Sequence, residues 1–105
     1  MTGKQILVEQ SVSITAAPLR VDFDPASDVV YVSLGEPVPD EGEDRSGGVV
    51  LRYALRDDSP SGVTIVGFAR NGWDQNLPKL SEIIGQHLNV DPGAVSTAII
   101  REVQK

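Results

Sequence analysis

The hydrophobic pattern of this chain changes period once, around Asn71-Gly72, and that change limits the available folds more than any other feature. Before it, apolar and polar residues alternate, which is the repeat of a strand with one buried face. After it, apolar residues recur every third or fourth position, which is the repeat of an amphipathic helix.

The alternating part divides at turn-forming residues. In Gln5–Ile14, Ile6, Val8, Val12 and Ile14 share one face and Glu9, Ser11 and Ser13 the other, with Gln10 an exception on the apolar face; Ala16, Ala17 and Pro18 end the pattern. Leu19, Val21 and Phe23 alternate with Arg20 and Asp22. The segment Asp24-Pro25-Ala26-Ser27-Asp28 is a turn, because Pro fixes φ and Asp and Ser side chains bond nearby amides. Val29–Leu34 returns as the second strand of a hairpin, with Val30, Val32 and Leu34 on its apolar face. Gly35 to Gly48 reads as a loop, holding Pro37, Pro39, Gly42 and Gly47 beside a run of acids. Val49–Leu55 sets Val49, Leu51, Tyr53 and Leu55 inward and Arg52 and Arg56 outward. Val63–Ala69 is apolar on both faces and therefore reads as a central strand covered on both sides.

Beyond Gly72, Leu77, Leu80, Ile83, Ile84 and Leu88 form a helical stripe, with Pro78 in the first turn, Asn76 or Asp74 as cap and Asn89 as a left-handed stop. Asp91-Pro92 has the chemistry of a second helix start, and Val95, Ala98, Ile99 and Val103 continue it. Alternation of Thr97, Ile99, Arg101 and Val103 leaves a strand as the other reading of that segment. Strands followed by helices, with connections too short for helical crossovers, imply an α+β fold: an antiparallel β-sheet of about five strands followed by two C-terminal helices packed on the sheet. The expected organisation is a single domain over 1–105, strand-rich across 5–69 and helical across 76–104.

Charge narrows the function classes. The net charge is −6, and all of the excess falls before Ser46; beyond it, acids and bases balance. A dense cluster gathers at Glu36, Asp40, Glu41, Glu43 and Asp44. Such a surface repels phosphate backbones and anionic membranes, so nucleic acid is a disfavoured partner. Absence of cysteine removes disulfides, thiolate metal sites and thiol nucleophiles. No apolar run reaches the roughly 20 residues of a membrane span, and the first residues lack a signal-peptide pattern, so the expected location is the cytoplasm.

Candidate chemistry is sparse. Counting an EF-hand loop from Asp22 puts Ser27 at the glycine position and Ser33 at the bidentate glutamate, so Asp22, Asp24 and Asp28 do not make that calcium site. His87, the one histidine, sits beside a helical stripe with no Ser or Asp placed to complete a triad. Gly47-Gly48 precedes a strand and not a helix, which is the wrong context for a phosphate cradle. The segment 81–100 resembles a helix-turn-helix through Leu88, Val90, Val95 and Ile99. Ile84 stands where a small residue is expected, Asn89 replaces the turn glycine, and residues 91–100 carry no base for phosphates or guanine edges. Trp73 is read as packing beneath the first helix, with an interface anchor as the other reading.

The run Phe23-Asp24-Pro25-Ala26-Ser27-Asp28, leading into Val29-Val30-Tyr31-Val32-Ser33-Leu34, resembles the aromatic-Asp-Pro-x-x-Asp motif and following strand of a small prokaryotic family known only as domain of unknown function 2283. Gly48-Val49-Val50-Leu51-Arg52-Tyr53 and Val63-Thr64-Ile65-Val66-Gly67-Phe68 look like its next strands. The Gly35–Gly48 segment is longer and more acidic than that family's pattern, and both helices lie outside the match. The resemblance carries no established activity; it implies a binding role, antitoxin-like, beside small toxin-like proteins. Physically, Phe23, Asp24, Pro25, Asp28 and Tyr31 read as a structural turn and strand. The expectation is a non-enzymatic protein-interaction module that binds a protein partner or itself as a homodimer, needs no cofactor or metal, and offers Glu36, Asp40, Glu41, Glu43, Asp44 and Trp73 as contacts. The alternative is a DNA-binding regulator using segment 81–100.

Overall fold

In a computed structural model, residues 17–105 are described. The strand expected over Gln5–Ile14 lies outside them. Five strands come first: β1 (Leu19–Asp24), β2 (Val29–Leu34), β3 (Asp40–Asp44), β4 (Val49–Ala54) and β5 (Pro60–Val66). Helices α1 (Leu77–Leu88) and α2 (Pro92–Val103) follow, so the fold is α+β as the period change requires. The sheet runs β1-β2-β5-β4-β3, and every neighbouring pair is antiparallel.

The alternation read from sequence decides which side is covered. Val30, Val32, Val49, Leu51, Val63 and Ile65 point from the three central strands into one core. Leu80, Ile84 and Leu88 of α1 and Val95 and Ile99 of α2 meet them there, all buried. Each such side chain contributes about 1.5–3 kcal/mol by leaving water. Phe68, from the turn after β5, completes the core and stands edge-on to Phe23 with ring centroids 6.1 Å apart.

Several expectations are corrected. The acidic segment does not stay a loop: Asp40–Asp44 forms edge strand β3 along β4, with Gly42 opposite Arg52. Its sequence lacks the β-branched residues that announce a strand. It is held in register by the reversal at Arg45–Gly48, where Gly47 and Gly48 take φ of 74° and 79° and the Arg45 N–H donates to the Val49 carbonyl. A Cβ on Gly48 would lie 2.0 Å from the Val66 carbonyl oxygen, so glycine is required there. Leu55, expected inward, falls in the turn after β4 and is 58% exposed.

The strand expected over Val63–Ala69 spans Pro60–Val66 instead, because Gly67, at φ 74°, turns the chain away. It is central, as its composition implies, but among the described residues no layer covers its second side: Val66 and neighbouring Tyr31 stand exposed on the face away from the helices. Neither Asn76 nor Asp74 caps α1 through its side chain. The second helix follows its Asp-Pro start: the Asp91 carboxylate accepts the Ala94 N–H at 3.0 Å, and the strand reading of that segment falls.

Candidate functional site

The residues of the Asp-Pro motif are brought together, and what they build is a joint. Asp24 accepts from the Ala26 N–H and the Ser27 hydroxyl, closing the β1–β2 turn. Asp28, at φ 60°, reaches much further. Its carboxylate takes the N–H groups of Ala69 and Arg70 at 2.9 and 3.0 Å, and its carbonyl takes those of Gly67 and Phe68. The hairpin is thereby tied to the turn that delivers Phe68 to the core. The Ala69 and Arg70 amides, in that order, hold the Asp28 carboxyl below its usual value. Tyr31 is apart from this joint, on the open face of β2.

The acidic cluster separates into different roles. Asp40 points to the open face of the sheet beside Arg52, whose Nη1 donates to it at 2.8 Å while Nη2 donates to the Val32 carbonyl. Ser61 adds a third donor to that network, from a bulge where β5 passes β4. The Arg52 guanidinium lies over Gly62, where a Cβ would meet Nη2 at 2.1 Å. Asp40 is thus a structural acid. Glu43 pairs with Arg45 at 3.0 Å, and Glu36, on the loop after β2, lies 3.6 Å from Arg20. Glu41 and Asp44 make no ion pair among the described residues and stand exposed on β3. Among the described residues, β3 is bonded on one side only.

A second feature was not read from sequence. A cleft of about 600 Å³ opens between α1 and the β3–β4 end of the sheet. Val49, Leu51 and Ile83 form apolar wall, with Trp73 and Tyr53 as its aromatic sides. Trp73 does pack against the core, and its ring N–H donates to the Gly47 carbonyl at 2.7 Å, which fixes the indole against the β3–β4 turn. His87 stands edge-on to Tyr53, with ring centroids 4.9 Å apart. Its Nε2 lies 3.0 Å from the Arg52 carbonyl oxygen, an atom that only accepts, so Nε2 carries a proton and donates. That bond clamps α1 to β4. Sequence reasoning missed the cleft because its walls come from segments far apart in the chain.

The helical pair corrects one departure noted in the helix-turn-helix comparison. The small residue at the helix contact is Gly85: a Cβ there would lie 2.7 Å from the Val90 carbonyl oxygen and 3.1 Å from Pro92. Asn89 takes the left-handed turn conformation itself, at φ 58° and ψ 49°. Ser81 and Ser96 share a hydrogen bond between the helices. The exposed face of α2 presents Ala94, Thr97 and Ile100, with Arg101 as its cation in the last turn.

No cluster of three or more His, Asp or Glu side chains suited to a metal ion occurs among the described residues, and no described helix is long and apolar enough to cross a membrane. No protein-family model matches this chain, and no curated protein or solved structure matches it either.

Proposed function

We propose that the protein is a non-enzymatic interaction module whose β3 edge accepts an extended, basic segment of a protein partner. The observation that carries this reading is a strand edge that, among the described residues, is bonded on one side only and bears Glu41 and Asp44, both exposed and without ion pairs there. An unpaired edge offers a row of backbone donors and acceptors, and strand addition takes its affinity from them. Charge then selects the partner. A second copy is a poor occupant, because antiparallel self-pairing about Gly42 sets Asp40 against Asp44 and Glu41 against Glu43, and like charges directly opposite destabilise a ladder. A lysine- or arginine-rich strand meets the reverse pattern. An antitoxin-like role with a small basic toxin is one setting that fits, and the motif resemblance over Val21–Ala69 is consistent with it.

The test uses an end-blocked peptide of alternating lysine and valine, followed by amide NMR on the full chain. The expected result is perturbation and slowed exchange confined to β3 and its flanks, abolished by the double substitution Glu41→Lys/Asp44→Lys. Perturbation elsewhere, or binding indifferent to that reversal, removes the proposal.

A second reading rests on a different observation, the short left-handed turn at Asn89 that joins α1 to α2 with Gly85 at their contact. DNA binding through α2 needs phosphate contacts, and the first turns of α2 hold no Lys or Arg. Fluorescence anisotropy with duplex DNA at low salt decides it: no rise at micromolar protein ends this reading.

A further inference from the structure

We infer that the cleft between α1 and the β3–β4 end of the sheet is a binding site for a small organic anion with a flat apolar body. Its volume, about 600 Å³, lies within the range of about 300–1,000 Å³ typical of small-molecule sites. Charge identifies the occupant. The chain carries −6 overall, yet the charged residues lining the cleft are Arg45 and Lys79; the Glu43 carboxylate, outside the lining, meets it through Arg45 at 3.0 Å and the Tyr53 hydroxyl at 3.4 Å. Both cations stand exposed at its mouth, above the apolar wall of Val49, Leu51 and Ile83. Lys79 makes no ion pair among the described residues. Arg45 is engaged by Glu43, but that pair is more than half exposed on both sides and is readily exchanged for another anion.

The walls suit a planar group. Trp73 is fixed by its bond to the Gly47 carbonyl, and Tyr53 is braced edge-on by His87, so two aromatic surfaces are held in place before any ligand arrives. Preorganised aromatic walls reduce the ordering cost of binding. An apolar ring system between them, with its acid group toward Lys79 and Arg45, satisfies both parts of the site. A cationic or neutral ligand of the same shape offers Lys79 no counter-charge and gains nothing from Arg45, which then keeps its pair with Glu43.

Anilinonaphthalene sulfonate and its uncharged counterpart phenylnaphthylamine test this on the full chain, read by quenching of Trp73, the single tryptophan. The sulfonate is expected to saturate at one equivalent and to bind about tenfold or more tighter than the neutral dye, the factor expected of one charge-assisted contact. Lys79→Glu lies on the exposed first turn of α1, where an acid favours the helix. It is expected to weaken the sulfonate about tenfold while changing the neutral dye less than about twofold, and Lys105→Glu is expected to change neither. Equal affinity of the two dyes for the unmodified protein, indifference to Lys79→Glu, or uptake of several equivalents without quenching of Trp73 each overturns the proposal.

Discussion

At the scale of single residues, the described chain is fastened by a few polar side chains that reach across sequence. Asp28 is the clearest. Its carboxyl is held below the usual value of 3.8 by the Ala69 and Arg70 amides, so the charged form is preferred in the folded state. A depressed folded-state pKa contributes stability that is present above the unfolded value and is lost as pH falls through the folded one. Asp28→Asn keeps a residue that tolerates positive φ but removes the charge and one acceptor. The melting temperature of this variant should therefore lie below that of the parent at pH 7, and the gap should close below about pH 4. Thermal melts across that range check it; a gap independent of pH would mean that the charge at Asp28 is not what holds the joint. Arg52 makes a related prediction. Its guanidinium serves Asp40 and the Val32 carbonyl in a partly buried site, and Arg52→Ala removes that donor from both, leaving Asp40 only the Ser61 hydroxyl and no cation. A loss of about 2 kcal/mol in urea unfolding is expected, in the range for hydrogen bonds to charged groups. The turn chemistry of Asp24 was legible in sequence because its partners are two and three residues away. The reach of Asp28 to residues 41 and 42 positions on was not, since no local pattern encodes it.

At the scale of elements, periodicity located β1, β2, β4, α1 and α2, because each buries one face and repeats accordingly. It failed for β3, which buries no apolar face, being exposed from Glu41 to Asp44, and which exists because β4 and the glycine reversal place it there. It also misjudged the second face of β5, since apolar residues on both faces show that burial is possible without supplying the layer that does it. The helix pair shows two physical terms in conflict at Gly85. Within α1, replacing glycine by alanine should gain about 1 kcal/mol of helix propensity. The added Cβ would sit 2.7 Å from the Val90 carbonyl oxygen, a backbone atom that moves only if the α1–α2 turn moves. Overpacking of this kind costs about 1–3 kcal/mol, so Gly85→Ala should be net destabilising by about 1 kcal/mol. A stabilised variant would show that the turn yields easily and that the two helices are not rigidly joined.

At the scale of the whole molecule, the sheet has one face under helices and one face left open by the described residues, and stability should follow that division. Ile99 is fully buried where α2 meets the core, whereas Val66 projects from the open face of β5 at 41% exposure. Ile99→Ala removes methyl groups from a packed interior and leaves a cavity, which costs about 2–5 kcal/mol. Val66→Ala removes a smaller, already hydrated surface, and about 0.5 kcal/mol is the expected loss at such a position. Equilibrium urea unfolding, followed by circular dichroism and by Trp73 emission, separates the two. Ile99→Ala should lower the midpoint strongly with both probes in register, because the indole and the helices rest on the same core. Coincident curves with a large shift for Ile99→Ala and a small one for Val66→Ala indicate a single cooperative unit built on one side of the sheet. A large loss from Val66→Ala would reveal that the open face is covered in solution, and the most direct cover is then a second copy or a partner laid across Tyr31 and Val66.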